Sequence, residues 1–450
     1  MPTCAEPPKL LKLPAMIDVK VLLGNIDGAA DRLMSRDPGL NLDAIRELDE
    51  RRRSLTTAVE AKKAQQNRAS KEIGAKKAKG EDPGEVLAAM KALAGDIREL
   101  DDELGQVEET LNQAIQVLPN VPLDNTPVGP DKSANVVVRE YGKARPPEEW
   151  GFAFRNHIEV AEGLGERGGL DFPRAARMTG SGWPLYRGDL ARLEWALVTF
   201  FIERATADGR ELIIPPYAVN SDSMFASGQF PKFREQAYEC RDDDLVLIPT
   251  SEVPLLNLYR GEILPDEMLP LRLASFTPCF RREAGTYGVE ERGLIRIHQF
   301  HKVEIFSYTR PEESAGEIEL MRLFSEKIVE DLGLPYRTTM LATGDLAQQS
   351  AFTYDIEAWL PGQKAYSEVS SVSNCTDYQA RRANIRFRPV DRKKPEFVHT
   401  LNGSALATSR VMVSILEHYQ ESDGALTVPE VLRPYMRGLS RIGPRVPGSG

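Results

Sequence analysis

A chain of 450 residues with 41% hydrophobic residues is long enough for two or three domains and at least one large core. Its net charge of −10 argues against a protein that coats nucleic acid indiscriminately, although a local basic surface is compatible with an acidic average. The four cysteines form no CxxC pair, so neither a disulfide framework nor a cysteine-rich zinc site is predicted. With no secretory signal and no apolar run of roughly eighteen residues, we expect a cytosolic protein without a membrane segment.

Two segments with heptad spacing predict a pair of long helices near the N-terminus. In the first segment, apolar or aliphatic positions recur at alternating steps of three and four from Ile45 to Ile73, and the second continues this spacing from Val86 to Leu118. The breaker at 80–84 separates them, so we expect two antiparallel helices joined by a tip turn. A short amphipathic helix is predicted before the hairpin from the apolar residues Leu22, Leu23, Ile26, Ala30 and Leu33.

The two arms of this hairpin carry opposite charge. Residues 51–80 contain ten Lys or Arg against two acids, whereas residues 81–109 contain ten acids against Lys91 and Arg98. One interpretation is that the charges flank the coiled-coil seam and pair across it. The other is that the basic arm binds RNA, because A-form helices are recognised mainly by shape and by phosphate and 2′-hydroxyl contacts.

Prolines 119 and 122 end the second helix and begin a linker. Beyond it a helix is predicted at 190–205, followed by short apolar runs between Gly and Pro turns and a final helix near 405–419. This pattern favours an α+β domain with a mainly antiparallel sheet over repeated βαβ units. The expected divisions are a disordered extension at 1–15, a helical domain at 16–118, a linker at 119–135, a sheet domain at 136–440 and a tail at 441–450.

The segment at 277–304, TPCFRREAGTYGVEERGLIRIHQFHKVE, is the most informative part of the chain. Its arginine–acid cluster opens a polar loop that returns as an apolar, strand-like run. Together with Arg410, Arg281 suggests a site for the triphosphate of ATP, because a guanidinium binds phosphate or carboxylate oxygens through a bidentate fork. No GxGxxG or GxxxxGKS sequence is present, so ATP would be held without a Rossmann or P-loop cradle.

Four motifs occur in a defined order: TSE at 250–252, TPCFRREAG and RGLIRIHQFHKVE within 277–304, and NGSALATSR at 402–410. In order and spacing they resemble the motifs of seryl-tRNA synthetases, and the resemblance extends from about residue 16 to about residue 437. It implies a class II synthetase domain with an antiparallel sheet and flanking helices, preceded by an antiparallel coiled-coil hairpin that grips the variable arm of tRNA. The implied activity is ATP-dependent activation of L-serine to seryl-adenylate and transfer to tRNA(Ser), and also to tRNA(Sec). A homodimer formed through residues 190–216 is also implied.

The resemblance also assigns site residues. Arg281 would bridge the serine carboxylate and the α-phosphate, Arg410 would contact the γ-phosphate, Glu283 would accept from the adenine amino group, and Phe300 would stack on the ring. The full ATP set is Arg281, Arg282, Glu283, Ile297, Phe300, Glu368, Val369, Ser370, Ser371 and Arg410. The serine set is Thr250, Ser251, Glu252, Arg281, Glu304, Asn402 and Ser404. Mg²⁺ is the only metal expected, on Glu368 and Ser371. The candidates for tRNA binding are Lys62, Lys63, Arg68, Lys71, Lys76 and Lys77.

The reaction needs positioning and charge neutralisation rather than a general base, because a carboxylate is already a nucleophile at neutral pH. His298 and His301 are therefore expected to be structural. A site that demands a hydroxyl partner rejects an analogue lacking it by about 10⁴ or more, whereas one extra methyl group gives only about 10 to 200-fold rejection, so alanine should be excluded better than threonine. Two alternatives remain: a ligase that charges a carrier protein, and a synthetase-derived RNA-binding protein without catalysis.

The sequence departs from the family pattern at two points. The loop reads TYGVEERG where many bacterial members are more basic, and this change affects how the loop would meet the acceptor end of tRNA. Ser409 precedes Arg410 where glycine is frequent, and this change is expected to affect helix packing alone. The first fifteen residues have no counterpart in the family.

Overall fold

The computed structural model describes residues 22–24, 28–164, 169–284 and 292–443. The chain divides into two compact units. Of the described residues, the helical unit takes in those between 22 and 34 and 38–118, and the sheet unit takes in 35–37 and those between 119 and 443. The expected extension at 1–15, Ile26, most of the TYGVEERG loop and most of the tail at 441–450 lie outside the described residues.

The helices of the N-terminal part are α1 (Ala29–Arg36), whose last two residues fall in the sheet unit, and α2 (Leu42–Ala78) and α3 (Gly84–Gln116) of the helical unit. Asn41 caps α2 by accepting a hydrogen bond from the Ala44 N–H at 3.0 Å, and Lys76 and Lys77 lie in its last turn, where positive charge is favourable. The two long helices pack along their apolar stripes, and their buried apolar residues are Ile45, Leu55, Val59 and Ile73 on α2 and Ile97, Leu111 and Ile115 on α3. The predicted helical hairpin, with its break near residue 80, is confirmed.

The sheet unit is built on one large sheet. Its strands are β1 (Val136–Tyr141), β2 (Glu211–Ile213), β3 (Ala218–Val219), β4 (Tyr238–Glu239), β5 (Val246–Leu247), β6 (Ile263–Pro265), β7 (Leu271–Phe280), β8 (Gln299–Thr309), β9 (Tyr336–Met340), β10 (Phe352–Leu360), β11 (Ala365–Asn374), β12 (Arg386–Arg388), β13 (Glu396–Phe397), β14 (His399–Ala407), β15 (Leu426–Thr427) and β16 (Arg441–Ile442). Eight of them form a sheet in the order β1–β9–β10–β11–β14–β8–β7–β2. Every neighbouring pair is antiparallel except β2 and β7, which confirms the predicted mainly antiparallel α+β architecture.

Helices cover this sheet. They are α4 (His157–Gly163), α5 (Phe172–Thr179), α6 (Gly188–Ala207), α7 (Ser221–Ala226), α8 (Glu252–Asn257), α9 (Ser314–Asp331), α10 (Tyr378–Ala383) and α11 (Thr408–His418). Side chains of α6 such as Leu197 and Phe201 and side chains of α11 such as Met412 join Ile305 and Val372 of the sheet in one core cluster. Each such side chain contributes roughly 1.5–3 kcal/mol by leaving water. Among the described residues, no helix combines the length and the apolar character needed to cross a bilayer.

The last helix begins later than the sequence pattern indicated. We expected it from about residue 405, but Ala405 lies in β14 and α11 begins at Thr408. The pairing of β14 with β8 jumps from Ser404–Glu304 to Ala407–Lys302, and Leu406 has a φ of 75° in this irregularity. A bulge therefore ends the strand and starts the helix, and the small apolar residues of this segment carry no signal that separates the two structures.

Candidate active site

A cavity of about 540 Å³ lies against the adjacent strands β11, β14 and β8 of the large sheet. Strand register brings distant motifs together there: Ser404 pairs with Glu304, Ser373 with Asn402, and Lys302 with Thr277. The predicted site residues that line the cavity are Thr250, Glu252, Arg281, Glu283, Ile297, Phe300, Glu304, Glu368, Val369, Ser371, Asn402, Ser404 and Arg410. Motifs separated by up to about 160 residues in sequence therefore form a single site.

Three predicted site residues do not line this cavity and instead make protein contacts. The buried Ser251 hydroxyl accepts a hydrogen bond from Thr277 Oγ1 at 3.1 Å. Ser370 Oγ donates to the Ser404 carbonyl at 2.6 Å, and Arg282 Nη1 donates to the Glu235 carbonyl at 3.3 Å. Their side chains support the walls of the site, and direct binding by them stays a prediction.

Arg281 lies at the rim, immediately after β7. Its backbone N–H donates to the His298 carbonyl at 2.9 Å, and its guanidinium carbon lies 5.2 Å from the centroid of the Phe300 ring. The His298 ring stacks on Trp183 with centroids 5.5 Å apart, and its Nδ1 lies 3.1 Å from the Tyr238 hydroxyl. This packing fixes the backbone that carries Arg281. The guanidinium is exposed, and its Nε donates to the Pro249 carbonyl at 3.4 Å, so the two Nη groups are the donors that an anion would meet.

Glu283 adopts an unusual backbone conformation two residues later. Its φ of 51° lies in the left-handed region, which non-glycine residues occupy only where the surroundings stabilise it. Arg296, on the returning side of the loop, holds the Glu283 carboxylate with a separation of 2.6 Å between Nη1 and Oε2. The ion pair joins the two sides of the loop, and both side chains line the cavity.

Two buried carboxylates define the inner end of the cavity. Glu252 and Glu304 are almost fully inaccessible to solvent. Lys302 Nζ lies 2.5 Å from Glu304 Oε2 and donates to Thr250 Oγ1 at 2.7 Å. Burial, followed by the charge on Glu304, raises the pKa of Glu252 to about 7, and burial likewise raises the pKa of Glu304 against the opposing effect of Lys302. This end of the cavity suits a small cation that also carries a hydrogen-bond donor.

The position of Glu252 depends on glutamines that the sequence analysis did not identify. Gln379 Nε2 donates to Glu252 Oε1 at 2.6 Å, and Gln349 Nε2 donates to the same oxygen at 3.3 Å. Thr400 Oγ1 donates to Gln379 Oε1 at 2.7 Å, which fixes the orientation of the Gln379 amide. The available signal was weak: Gln379 is a fully buried polar residue within a helix of six residues.

A more exposed end of the cavity has the donor set expected for a hard cation and a polyphosphate. The Glu368 side chain is 46% exposed, its Oε2 lies 3.4 Å from Arg410 Nη1, and Ser371 lines the cavity nearby. Asp355 pairs with Ser371 across the strands, and burial, followed by the charge of Glu368, raises its pKa well above the usual range. Among the described residues no cluster of three His, Cys, Asp or Glu side chains is arranged to hold a metal. One carboxylate and one hydroxyl fit Mg²⁺, which takes few protein ligands and completes its shell with phosphate and water.

Comparisons with known proteins identify the family of this chain. The family model "Seryl-tRNA synthetase N-terminal domain" matches residues 16–122, and the model "tRNA synthetase class II core domain (G, H, P, S and T)" matches residues 236–419. A serine--tRNA ligase of Pelobacter propionicus is 46% identical over 428 residues, which cover 95% of this chain and 100% of that relative. The chain belongs to the seryl-tRNA synthetase family. The serine--tRNA ligase of Nitratidesulfovibrio vulgaris is also 46% identical, over 95% of this chain and 99% of its own length.

Two solved seryl-tRNA synthetases share the fold. The Pyrococcus horikoshii enzyme, complexed with ATP, gives a TM-score of 0.90 at 38% identity and covers 96% of this chain and 100% of its own. The cytoplasmic enzyme of Naegleria fowleri, in complex with AMP, gives a TM-score of 0.84 at 29% identity, with coverages of 95% and 99%. The class II fold and the N-terminal helical hairpin predicted from the sequence are confirmed.

On the hairpin of this synthetase, the six candidate RNA-binding residues fall into two groups. Lys62 pairs with Asp96 at 2.5 Å, Lys63 pairs with Asp101 at 3.0 Å, and Lys76 lies 3.9 Å from Glu72. Arg68, Lys71 and Lys77 are exposed, and within the described part of the chain none of them has an ion-pair partner. Pairing across the seam and a free basic surface therefore coexist on this arm.

Proposed function

We propose that this synthetase activates L-serine with ATP and transfers the seryl group to the 3′ end of tRNA(Ser). In the first step a serine carboxylate oxygen attacks the α-phosphorus of ATP, and pyrophosphate leaves with the electron pair of the broken P–O bond. In the second step a terminal ribose hydroxyl of tRNA attacks the activated carbonyl carbon, and AMP leaves. The observation that carries the proposal is the joining, in one cavity, of a buried acidic end and an end formed by arginine, a carboxylate and a hydroxyl.

The acidic end suits serine. We assign the α-ammonium group to Glu252 and Thr250, and the hydroxyl to Glu304, Asn402 and Ser404. Arg281, at the rim above Phe300, bridges the serine carboxylate and the α-phosphate. This placement would overcome the repulsion between two anions, which is the main work that the first step requires.

The other end suits the polyphosphate of ATP. Arg410 is assigned to the γ-phosphate, and Mg²⁺ is assigned to Glu368 and Ser371, where it would neutralise charge on the phosphates. Glu283 is assigned to the adenine amino group and Phe300 to the adenine ring, with Arg282, Ile297, Val369 and Ser370 as their neighbours. In the P. horikoshii relative, ATP is bound by the same fold.

Assembly and tRNA range complete the proposal. A homodimer through residues 190–216 is supported by the exposed apolar side chains in that segment, among them Trp195 at 60% and Ile214 at 77%. Arg68, Lys71 and Lys77 are proposed to contact tRNA phosphates together with Lys62, Lys63 and Lys76. We also propose a cytoplasmic location and, where the cell contains it, the charging of tRNA(Sec).

Serine-dependent exchange of labelled pyrophosphate into ATP, followed by charging of total tRNA, tests the function. Wild type is expected to catalyse both reactions, and Arg281→Ala is expected to lose both. Exchange without charging would favour a ligase that serves a carrier protein, whereas no exchange would favour an RNA-binding protein without catalysis. Alanine and threonine run in parallel test the selectivity, and alanine is expected to be the weaker substrate.

A further inference from the structure

Lys302 occupies an unusual position for a lysine. It lies within β8 with its side chain only 9% exposed, and it is the one lysine among the described residues that line the cavity. Its Nζ lies between Glu304 Oε2 and Thr250 Oγ1, at 2.5 Å and 2.7 Å. Two residues apart on one strand, Lys302 and Glu304 present their side chains on the same face of the sheet.

We propose that Lys302 is a specificity-determining positioning residue, which keeps Glu304 ionised so that the Glu304 carboxylate acts only as a hydrogen-bond acceptor. The inference rests on the proposed function, because the acceptor is assigned to the hydroxyl of serine. A carboxylate can only accept a hydrogen bond, whereas a protonated carboxyl also donates one. An ionised Glu304 therefore requires a hydrogen-bond donor on the substrate, whereas a protonated Glu304 does not.

The charges around Glu304 show why it needs this partner. Glu252 on α8 adds a second negative charge, Asn402 on β14 contributes a neutral amide whose Nδ2 lies 3.4 Å from Glu304 Oε1, and Cys279 on β7 is a buried thiol whose pKa burial raises. Arg281 contributes positive charge from the rim. Lys302 is in direct contact with Glu304 and offsets the burial that favours the protonated form of this carboxyl.

The geometry also sets this pair apart from an ion pair that serves folding alone. A buried ion pair is commonly no more stabilising than apolar residues of the same volume. Lys302 is shared between the acceptor assigned to the substrate hydroxyl and Thr250, assigned to the substrate ammonium, so it connects two walls of the pocket. Removing the charge of Lys302 is therefore expected to affect substrate recognition more than it affects the stability of the fold.

A double-mutant cycle tests the inference with Lys302→Met, Glu304→Gln and the double variant in pyrophosphate exchange. Methionine keeps the apolar stem without the charge. In Lys302→Met we expect the KM for serine to rise roughly 30 to 100-fold, while the KM for ATP stays within about twofold of the wild-type value. The preference for serine over alanine, about 10⁴ in the wild type, is expected to fall at least tenfold. The acid limb of kcat/KM for serine is expected to move to higher pH. In the Glu304→Gln background the same Lys302 change should alter the KM for serine by less than about threefold.

An unchanged KM and pH profile in Lys302→Met, or an equal penalty in both backgrounds, would overturn the inference. Failure of wild type to exchange with serine would instead overturn the proposed function. Should Lys302→Met not fold, Lys302→Arg tests the same point: it retains the charge, so the acid limb and the rejection of alanine are expected to stay at wild-type values. A shift of either one in a folded Lys302→Arg enzyme would contradict the role of the charge.

Discussion

Glu252 makes the activation step sensitive to pH near neutrality. Its carboxylate is fully buried beside Glu304, and these two effects raise its pKa from an ordinary value of 4.5 to about 7. A substrate ammonium needs the ionised carboxylate as its partner. We therefore expect kcat/KM for serine to fall as the pH is lowered through 7, while the ionised form predominates above it.

The size of the effect follows from the shift. Near pH 6 about a tenth of the free enzyme carries an ionised Glu252, so kcat/KM should drop about tenfold per unit below the pKa. Bound serine places a positive charge beside the carboxylate and lowers its pKa, so the acid limb of kcat should lie at lower pH than that of kcat/KM. The free energy of unfolding changes with pH in the opposite direction to kcat/KM. The folded state binds the Glu252 proton more tightly than the unfolded state does, so this group lowers the free energy of unfolding as pH rises from 4.5 to about 7, by at most about 3 kcal/mol.

Initial rates of pyrophosphate exchange between pH 5.5 and 8.5, at saturating ATP and Mg²⁺, measure both limbs. The control is Glu252→Gln, which is nearly isosteric and cannot ionise. It should show low kcat/KM without the limb near pH 7, and its stability should lose the part of the pH dependence that Glu252 supplies. A limb that persists near pH 7 in Glu252→Gln would belong to another group and would refute the reasoning.

Three further predictions test the other parts of the molecule. Replacing Arg68, Lys71 and Lys77, the exposed basic residues of the hairpin, by alanine should raise the KM for tRNA and leave pyrophosphate exchange unchanged. The slope of log K for tRNA binding against log salt concentration should become smaller by roughly 2–3. Lys91→Ala on the acidic arm is the control. Glu368→Gln should raise the Mg²⁺ concentration for half-maximal exchange about tenfold or more, whereas Glu357→Gln on the adjacent strand should not, and equal effects of the two would contradict the metal assignment. Gly293→Ala should cost about 1–3 kcal/mol in thermal unfolding, because φ is +74° and an added Cβ would lie 2.1 Å from His157 Nε2. Gly209→Ala, with φ +82° and nothing within 4 Å, isolates the backbone part, and an equal loss there would remove the clash from the explanation.

The long helices and much of the site could be predicted from the sequence, because their signals are local patterns of residues. Heptad spacing over more than thirty residues specifies the hairpin, and the residue types of the four motifs indicate phosphate and carboxylate chemistry. Side-chain direction is harder to predict. In β11, Ser370 and Ser371 are neighbours, yet alternation along the strand sends Ser371 to the cavity and Ser370 to the Ser404 carbonyl.

Contacts between distant segments could not be predicted. Gln379 and Gln349 donate hydrogen bonds to Glu252, from which they are 127 and 97 residues away in sequence. No local sequence pattern indicates either hydrogen bond. The Lys302–Glu304 pair is a different case, because its spacing of two on a predicted strand is visible in the sequence HQFHKVE. The bulge at Leu406 could not be predicted for a third reason. A strand that leads directly into a helix leaves one continuous run of small apolar residues, with no sequence signal at the boundary.

The place of β14 in the sheet bears on how the protein is made. This strand is the last long one in the sequence, ending at Ala407 with about the last tenth of the chain to follow, yet it lies between β11 and β8 in the middle of the sheet. A nascent chain that has not reached it leaves the facing edges of both neighbours unpaired, and such edges readily join other chains. A product truncated before β14 would therefore be a candidate for aggregation and degradation rather than a partly active enzyme. The cell's quality control, more than any residual catalysis, would decide the fate of interrupted translation.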